Sequence, residues 1–152
     1  MTTYSAYFDG GCEPNIPGGT ASYGVIIMKD GETLCEISEI YTPEPGHENE
    51  TSNNVAEYAG LIAVLEWFIE HELSDAKIIV RGDSMLVIEQ MFGKWKIKKG
   101  EYVPLALKAR ELLKPFTNIQ GQWIRREHNE VADGLAKAAV TRSRLTAELE
   151  PA

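Results

Sequence analysis

Cysteine is scarce in this chain: Cys12 and Cys35 are the only two among 152 residues. Two cysteines make neither a disulfide framework nor a four-ligand zinc site, so the expectation is a reduced, cytoplasmic protein. Long apolar runs are lacking too, and nothing approaches the ~20 residues that a membrane span needs. The start, Met1-Thr2-Thr3-Tyr4, has no basic stretch followed by an apolar one, and no signal peptide is visible. Internal repeats, low-complexity tracts and linkers are absent as well. Lysine and arginine are missing from residues 30–76, a stretch that holds twelve acids.

What is present describes one ordinary globular domain. Hydrophobic residues make up 43% and charged residues 25% of 16.9 kDa, enough for a single core. The net charge of -8 argues, taken alone, against a nucleic-acid partner. The charges are divided, however. Residues 77–144 carry fourteen Lys or Arg against seven acids, so one region repels a polyanion and another attracts it.

Periodicity and turn signals give a β-β-β-α-β-α-α-β-α order. Strands are expected over 2–8, ended by Asp9-Gly10-Gly11, and over 21–28, 33–41, 77–81 and 119–124. Asp30-Gly31 marks a hairpin turn. Helices are expected over 53–72, capped by Asn53 or Asn54, then over 84–91 entered at Asp83, over 102–113, and over 129–140. A hairpin run followed by βα units predicts an α/β fold, a five-stranded mixed sheet with helices on its faces. Residues 1–142 form the expected domain, and 143–152 an expected mobile tail.

Four carboxylates stand where acids are costly. Asp9 follows the first strand and Asp83 the fourth. Glu57 shares a helix face with Leu61, Val64 and Phe68. Asp133 lies inside the last helix. Each has a plain structural alternative: a turn residue for Asp9, a capping box with Asn54 for Glu57, a helix cap for Asp83, and an ion pair with Lys137 worth ~0.3–0.5 kcal/mol for Asp133. Converging carboxylates repel unless a cation joins them, and oxygen ligands select hard ions such as Mg²⁺ or Mn²⁺.

Four segments then carry a resemblance. They are Tyr7-Phe8-Asp9-Gly10-Gly11-Cys12-Glu13-Pro14-Asn15, Ser52-Asn53-Asn54-Val55-Ala56-Glu57, Gly82-Asp83-Ser84 and Asn129-Glu130-Val131-Ala132-Asp133-Gly134-Leu135-Ala136. In this order they resemble type 1 ribonuclease H over about residues 3–140. The resemblance implies the ribonuclease H-like fold and hydrolysis of the RNA strand of RNA–DNA hybrids, leaving 5′-phosphate and 3′-hydroxyl ends. It implies Asp9, Glu57, Asp83 and Asp133 as ligands of two Mg²⁺ ions, with Mn²⁺ as the alternative. It also places Gly11, Cys12, Asn15, Asn53 and Asn54 in the substrate groove. No obligate protein partner is evident. A DNA-directed nuclease and a non-catalytic hybrid-binding domain of the same fold are the competing readings.

The basic loop Lys94-Trp95-Lys96-Ile97-Lys98-Lys99 suits phosphate neutralisation with stacking on Trp95; Trp95 as a packing residue with solvated lysines is the alternative. The loop is short where many members carry a basic helix and handle, so the chain resembles the handle-less branch. The loop before Asp133 is short as well. It offers Arg126 and His128 as auxiliary residues, His128 falling nearer Asp133 than the family histidine does. Met85 stands where some relatives have a polar substrate contact. The acidic loop Glu44–Glu50 has no role in this reading beyond a solvated insertion.

Overall fold

The computed structural model describes residues 2–149. Its strands are β1 (Thr3–Glu13), β2 (Thr20–Lys29), β3 (Glu32–Ile40), β4 (Lys77–Gly82) and β5 (Ile119–Trp123). Its helices are α1 (Asn53–Glu70), α2 (Met85–Phe92), α3 (Val103–Leu113) and α4 (Glu130–Leu149), and a 3-10 turn at Arg126–His128 precedes the last. The element order and the five-stranded mixed sheet are those expected. The sheet runs β3-β2-β1-β4-β5. The first three strands are antiparallel meander neighbours, while β4 and β5 run parallel to β1.

The two faces of the sheet are covered differently. Tyr4, Ala6 and Phe8 alternate along β1 into the main core. There they meet Val25 and Ile27 of β2, Val55, Leu61, Val64, Leu65 and Phe68 of α1, and Ala106 and Ala109 of α3. Gly24, next to Val25, faces the other way, and a Cβ on it would stand 2.2 Å from the Ala132 carbonyl oxygen. So α4 lies directly on the backbone of β2, through the small buried residues Ala132, Ala136 and Ala139. The first residues of α1 and of α4 both lie near the second half of β1.

Three boundaries differ from expectation, each with a cause. Asp9-Gly10-Gly11 does not end the first strand: β1 continues to Glu13, with Gly10 opposite Tyr23 and Gly11 opposite Ser22 of β2. Asp9 therefore lies within the strand, and the turn-residue alternative fails. Gly10 stays in the ladder to let a helix close in, since a Cβ there would stand 2.2 Å from the Ala56 carbonyl carbon and 2.5 Å from the Glu57 nitrogen. Neither Asn53 nor Asn54 caps α1. Ser52 does, its Oγ accepting from the Val55 N–H at 3.2 Å. The last helix passes positions 140 and 142 without a break and reaches Leu149. Thr141–Leu149 has no Gly or Pro to stop it, and Arg142 ties it to the Ser38 carbonyl of β3 at 2.5 Å. Of the expected tail, residues 150–152 lie outside the described part.

Gly10→Ala tests this packing. The neighbouring atoms are backbone and cannot swing away, so overpacking should cost about 3 kcal/mol or prevent folding. Urea unfolding of the variant beside the parent reads the loss directly.

Candidate active site

Asp9 and Glu57 are both buried, each only 7% exposed. Asp9 reaches the site from the middle of β1. Glu57 comes from the first turns of α1, whose close approach over Gly10 lets its Oε1 accept the Gly10 N–H at 2.9 Å. This cross-element bond replaces the capping box with Asn54. Asp83 follows the C-terminal end of β4 and is also free of capping duty, because the Ser84 Oγ caps α2 by accepting from the Val87 N–H at 3.3 Å. Carboxylate oxygens of Asp9, Glu57 and Asp83 all lie within 4.8 Å of one another.

Asp133 stands one turn inside α4, lines the same cleft and adds to the field on Asp9. It also makes the ion pair anticipated for it, Lys137 Nζ to Asp133 Oδ2 at 3.0 Å. Such an exposed pair is weak and leaves the carboxylate available. The cleft encloses about 540 Å³. Gly10–Glu13 and Asn53 form one wall, and α4 from Asp133 to Arg144 forms another.

The electrostatics are those of negative charges short of a partner. Burial, then the neighbouring Asp83 and Asp133, push Asp9 up to about 6, against the adjoining Glu57 side chain, which lowers it. Burial and Asp9 hold Glu57 well above the usual carboxylate range. The second Glu57 oxygen is buried with no hydrogen-bond partner. Among the described residues no Lys, Arg or His pairs with Asp9, Glu57 or Asp83. An orphaned buried oxygen within an all-carboxylate donor set fits a hard cation, which would satisfy that atom and cancel the repulsion.

The substrate-side residues are brought together in part. Asn53 Oδ1 accepts from the Cys12 N–H at 2.8 Å, and the Asn53 N–H donates to Asn15 Oδ1 at 3.1 Å. The two asparagines thus tie the loop after β1 to the start of α1. Gly11, Cys12 and Asn53 line the cleft, and Asn54 is exposed on the first turn of α1. Cys12 is 5% exposed, its thiol set against the Pro14 carbonyl at 3.4 Å. Arg126 lines the cleft, whereas His128 is exposed outside it. Lys94, Trp95 and Lys96 are exposed on the loop beyond α2, outside the cleft lining.

One residue escaped prediction. Asn129, only 1% exposed, donates from Nδ2 to the Phe8 carbonyl at 2.9 Å and lies 3.5 Å from Asp83 Oδ2. It ties the entry to α4 both to the central strand and to a site carboxylate. The sequence pattern makes it the first residue of the expected last helix, and no sequence signal marks it as buried.

Comparison with known proteins agrees with this geometry. A family model described as reverse transcriptase-like matches residues 7–139. The crystal structure of RNase H1 from Halobacterium salinarum superposes with a TM-score of 0.78 at 33% identity, covering 92% of this chain and 98% of that one. The chain belongs to the type 1 ribonuclease H family. A second type 1 ribonuclease H, LC11-RNase H1 in complex with RNA/DNA hybrid, superposes at 0.79 with 33% identity over 92% of this chain and 98% of that one. The bifunctional protein Rv2228c of Mycobacterium tuberculosis is 34% identical over 132 residues. That match takes in 87% of this ribonuclease H chain, which spans about a third (34%) of the larger protein.

The raised carboxylates set the pH dependence of stability without divalent ions. A carboxyl that binds its proton more tightly folded than unfolded favours the folded state while protonated. That contribution is full below the unfolded value of 3.8 and is lost as pH rises through about 6 for Asp9. In chelator the melting temperature should therefore fall between pH 4 and pH 7 by this term. Asp9→Asn should raise stability at pH 8 by on the order of 2 kcal/mol. Calorimetry across that range checks both, and a parent and variant of equal stability at pH 8 would contradict the mutual repulsion.

Proposed function

We propose that this chain hydrolyses the RNA strand of RNA–DNA hybrids, leaving 5′-phosphate and 3′-hydroxyl ends. The observation that carries the reading is the buried trio Asp9, Glu57 and Asp83, with its unpartnered Glu57 oxygen, set in a type 1 ribonuclease H fold. The hybrid bound by LC11-RNase H1 supports the substrate class. Asp9, Glu57, Asp83 and Asp133 would hold two Mg²⁺ ions, or Mn²⁺ in their place. Bound there, such ions supply activation of the attacking water and neutralisation of charge on the leaving oxygen.

The chain's own residues do the positioning. The Gly10 N–H holds one Glu57 oxygen and leaves the other without a partner. Asn129 steadies Asp83 against the Phe8 carbonyl. Asn53 and Asn15 fix the backbone around Cys12, where groups beside the cut strand can contact 2′-hydroxyls, which is how RNA is told from DNA. Arg126 brings a permanent cation to the cleft, suited to a phosphate. Lys94, Lys96 and the half-exposed Trp95 would meet the hybrid away from the reacting bond. The two free cysteines suit a reducing compartment such as the cytoplasm. No helix among the described residues is long and apolar enough to cross a membrane.

The decisive assay offers hybrid, duplex RNA, duplex DNA and single-stranded RNA with each metal in turn. Hybrid should be cut in its RNA strand, and chelator should abolish cutting. Asp83→Asn should lower the rate at least 100-fold, the scale on which lost charge stabilisation acts; a change of only a few-fold would remove Asp83 from the site. Comparable cleavage of duplex DNA would turn the reading toward a DNA nuclease. Asn129→Ala should cost 10- to 100-fold, as residues that orient ligating groups do.

A further inference from the structure

The last helix continues past the point where it buries anything. Every residue from Thr141 to Leu149 is exposed, so packing does not account for this extension. Its ties are polar. Arg142 donates to the Ser38 carbonyl, and Arg144 Nη2 lies 3.1 Å from the Glu13 carboxylate at the end of β1. The second tie lays Arg144 across the mouth of the active-site cleft, which Lys137, Thr141 and Arg144 line together. These three are spaced by four and three residues and so share one helix face, continuous with Asp133 one turn earlier. At 1.5 Å per residue, Asp133 and Arg144 are about 16 Å apart along the axis. The face thus begins at the acid cluster and carries two cations and a hydroxyl away from it. Opposite lies the wall of Gly11, Cys12 and Glu13.

We infer that this face of α4 is a phosphate-binding ridge for the strand being cut, with Arg144 its outer contact. The inference rests on the hybrid-cleavage reading above and adds where the strand runs after it leaves the reacting bond. Arg144 has the properties the role asks for. Its guanidinium is always charged and matches a phosphate's two oxygens. Its present partner, Glu13, is exposed, so the pair is weak and exchanges readily for a phosphate. Lys137 is likewise held by Asp133 alone and is free to turn outward. The ridge and Asn53 line the same cleft, so a strand entering it meets both.

Arg144→Ala tests the ridge, with Arg110→Ala on α3, outside the cleft, as the control for lost charge. The expected result is a rise in KM for hybrid of about 5- to 10-fold, a loss falling on KM rather than kcat. The slope of log affinity against log salt should become shallower by about 0.9, the value of one phosphate contact. Arg144→Lys should recover part of the affinity, and Glu13→Gln, which frees the arginine, should tighten binding. Fluorescence anisotropy of a labelled hybrid in chelator gives the same comparison without turnover. If Arg144→Ala matches Arg110→Ala in affinity and salt slope while the parent still cuts hybrid, the ridge is wrong and the function stands. If the parent neither binds nor cuts hybrid, both readings fall.

Discussion

Glu57 holds a carboxylate out of water one and a half turns into a helix, with one oxygen on a single backbone N–H and the other on nothing. A buried polar atom without a partner costs roughly 1–3 kcal/mol, and more when charged. The architecture around it makes sense as the means of holding that arrangement. The Gly10 N–H can be reached only because residue 10 has no side chain, which lets the Ala56–Glu57 backbone descend onto β1. The same central strand carries Asp9. The parallel pairing of β4 with β1 brings Asp83 to the same end of the sheet. Ser52 and Ser84 cap α1 and α2, so no acid at the site is consumed in ending a helix. The site stores repulsion in the folded state, and a divalent cation is the simplest group that relieves it.

The charge total of -8 is reconciled with a polyanionic partner by position. Many of the acids before residue 77 lie away from the cleft. Glu44, Glu50 and Glu66, together with Glu101, surround a separate groove of about 370 Å³ with Tyr23 and Tyr41 in its lining. Burial, then these or neighbouring glutamates, push both tyrosines up. That is the acidic loop's place in the fold: it gathers negative charge at a groove beside α1 and α3. The cleft has the opposite character beyond its acid centre, where Arg126, Lys137 and Arg144 line it. Salt screens exposed charges over about 8–10 Å, so a phosphate in the cleft responds chiefly to the nearby cations.

The element order, the mixed sheet and the candidate acids were legible because each rests on a local pattern. Alternation marks strands, and the 3.6-residue period placed Glu57 on an apolar face. What escaped was decided by partners distant in sequence. Asp9-Gly10-Gly11 has the composition of a turn, yet β2 pairs with it and keeps it in the ladder. Asn53 is a good cap by type, but its side chain is taken by the Cys12 N–H, 41 residues away, and Ser52 caps instead. Asn129 was visible only as the first residue of the expected last helix and of a family segment, because its role depends on Phe8 and Asp83, 121 and 46 residues away. The reach of α4 to Leu149 was missed because an exposed helix lacks the apolar period that announces a buried one.

Residue types and their spacing were enough to name the family and the candidate acids. Four acids, a glycine pair and an asparagine pair, in a fixed order on recognisable elements, mark the family, and an oxygen-only donor set suits hard cations. Residue type and local spacing carry that information, and both are properties of the chain. Which of the acids meet was settled by packing between distant elements. It drew Asp9, Glu57 and Asp83 within a few ångströms and set Asp133 at the rim. It also left one Glu57 oxygen bare, kept His128 and the Lys94–Lys96 loop out of the cleft, and laid Arg144 across its mouth. Those outcomes depend on helix-to-strand distances set by Gly10 and Gly24 and on hydrogen bonds spanning up to 131 residues, which no local window of sequence contains.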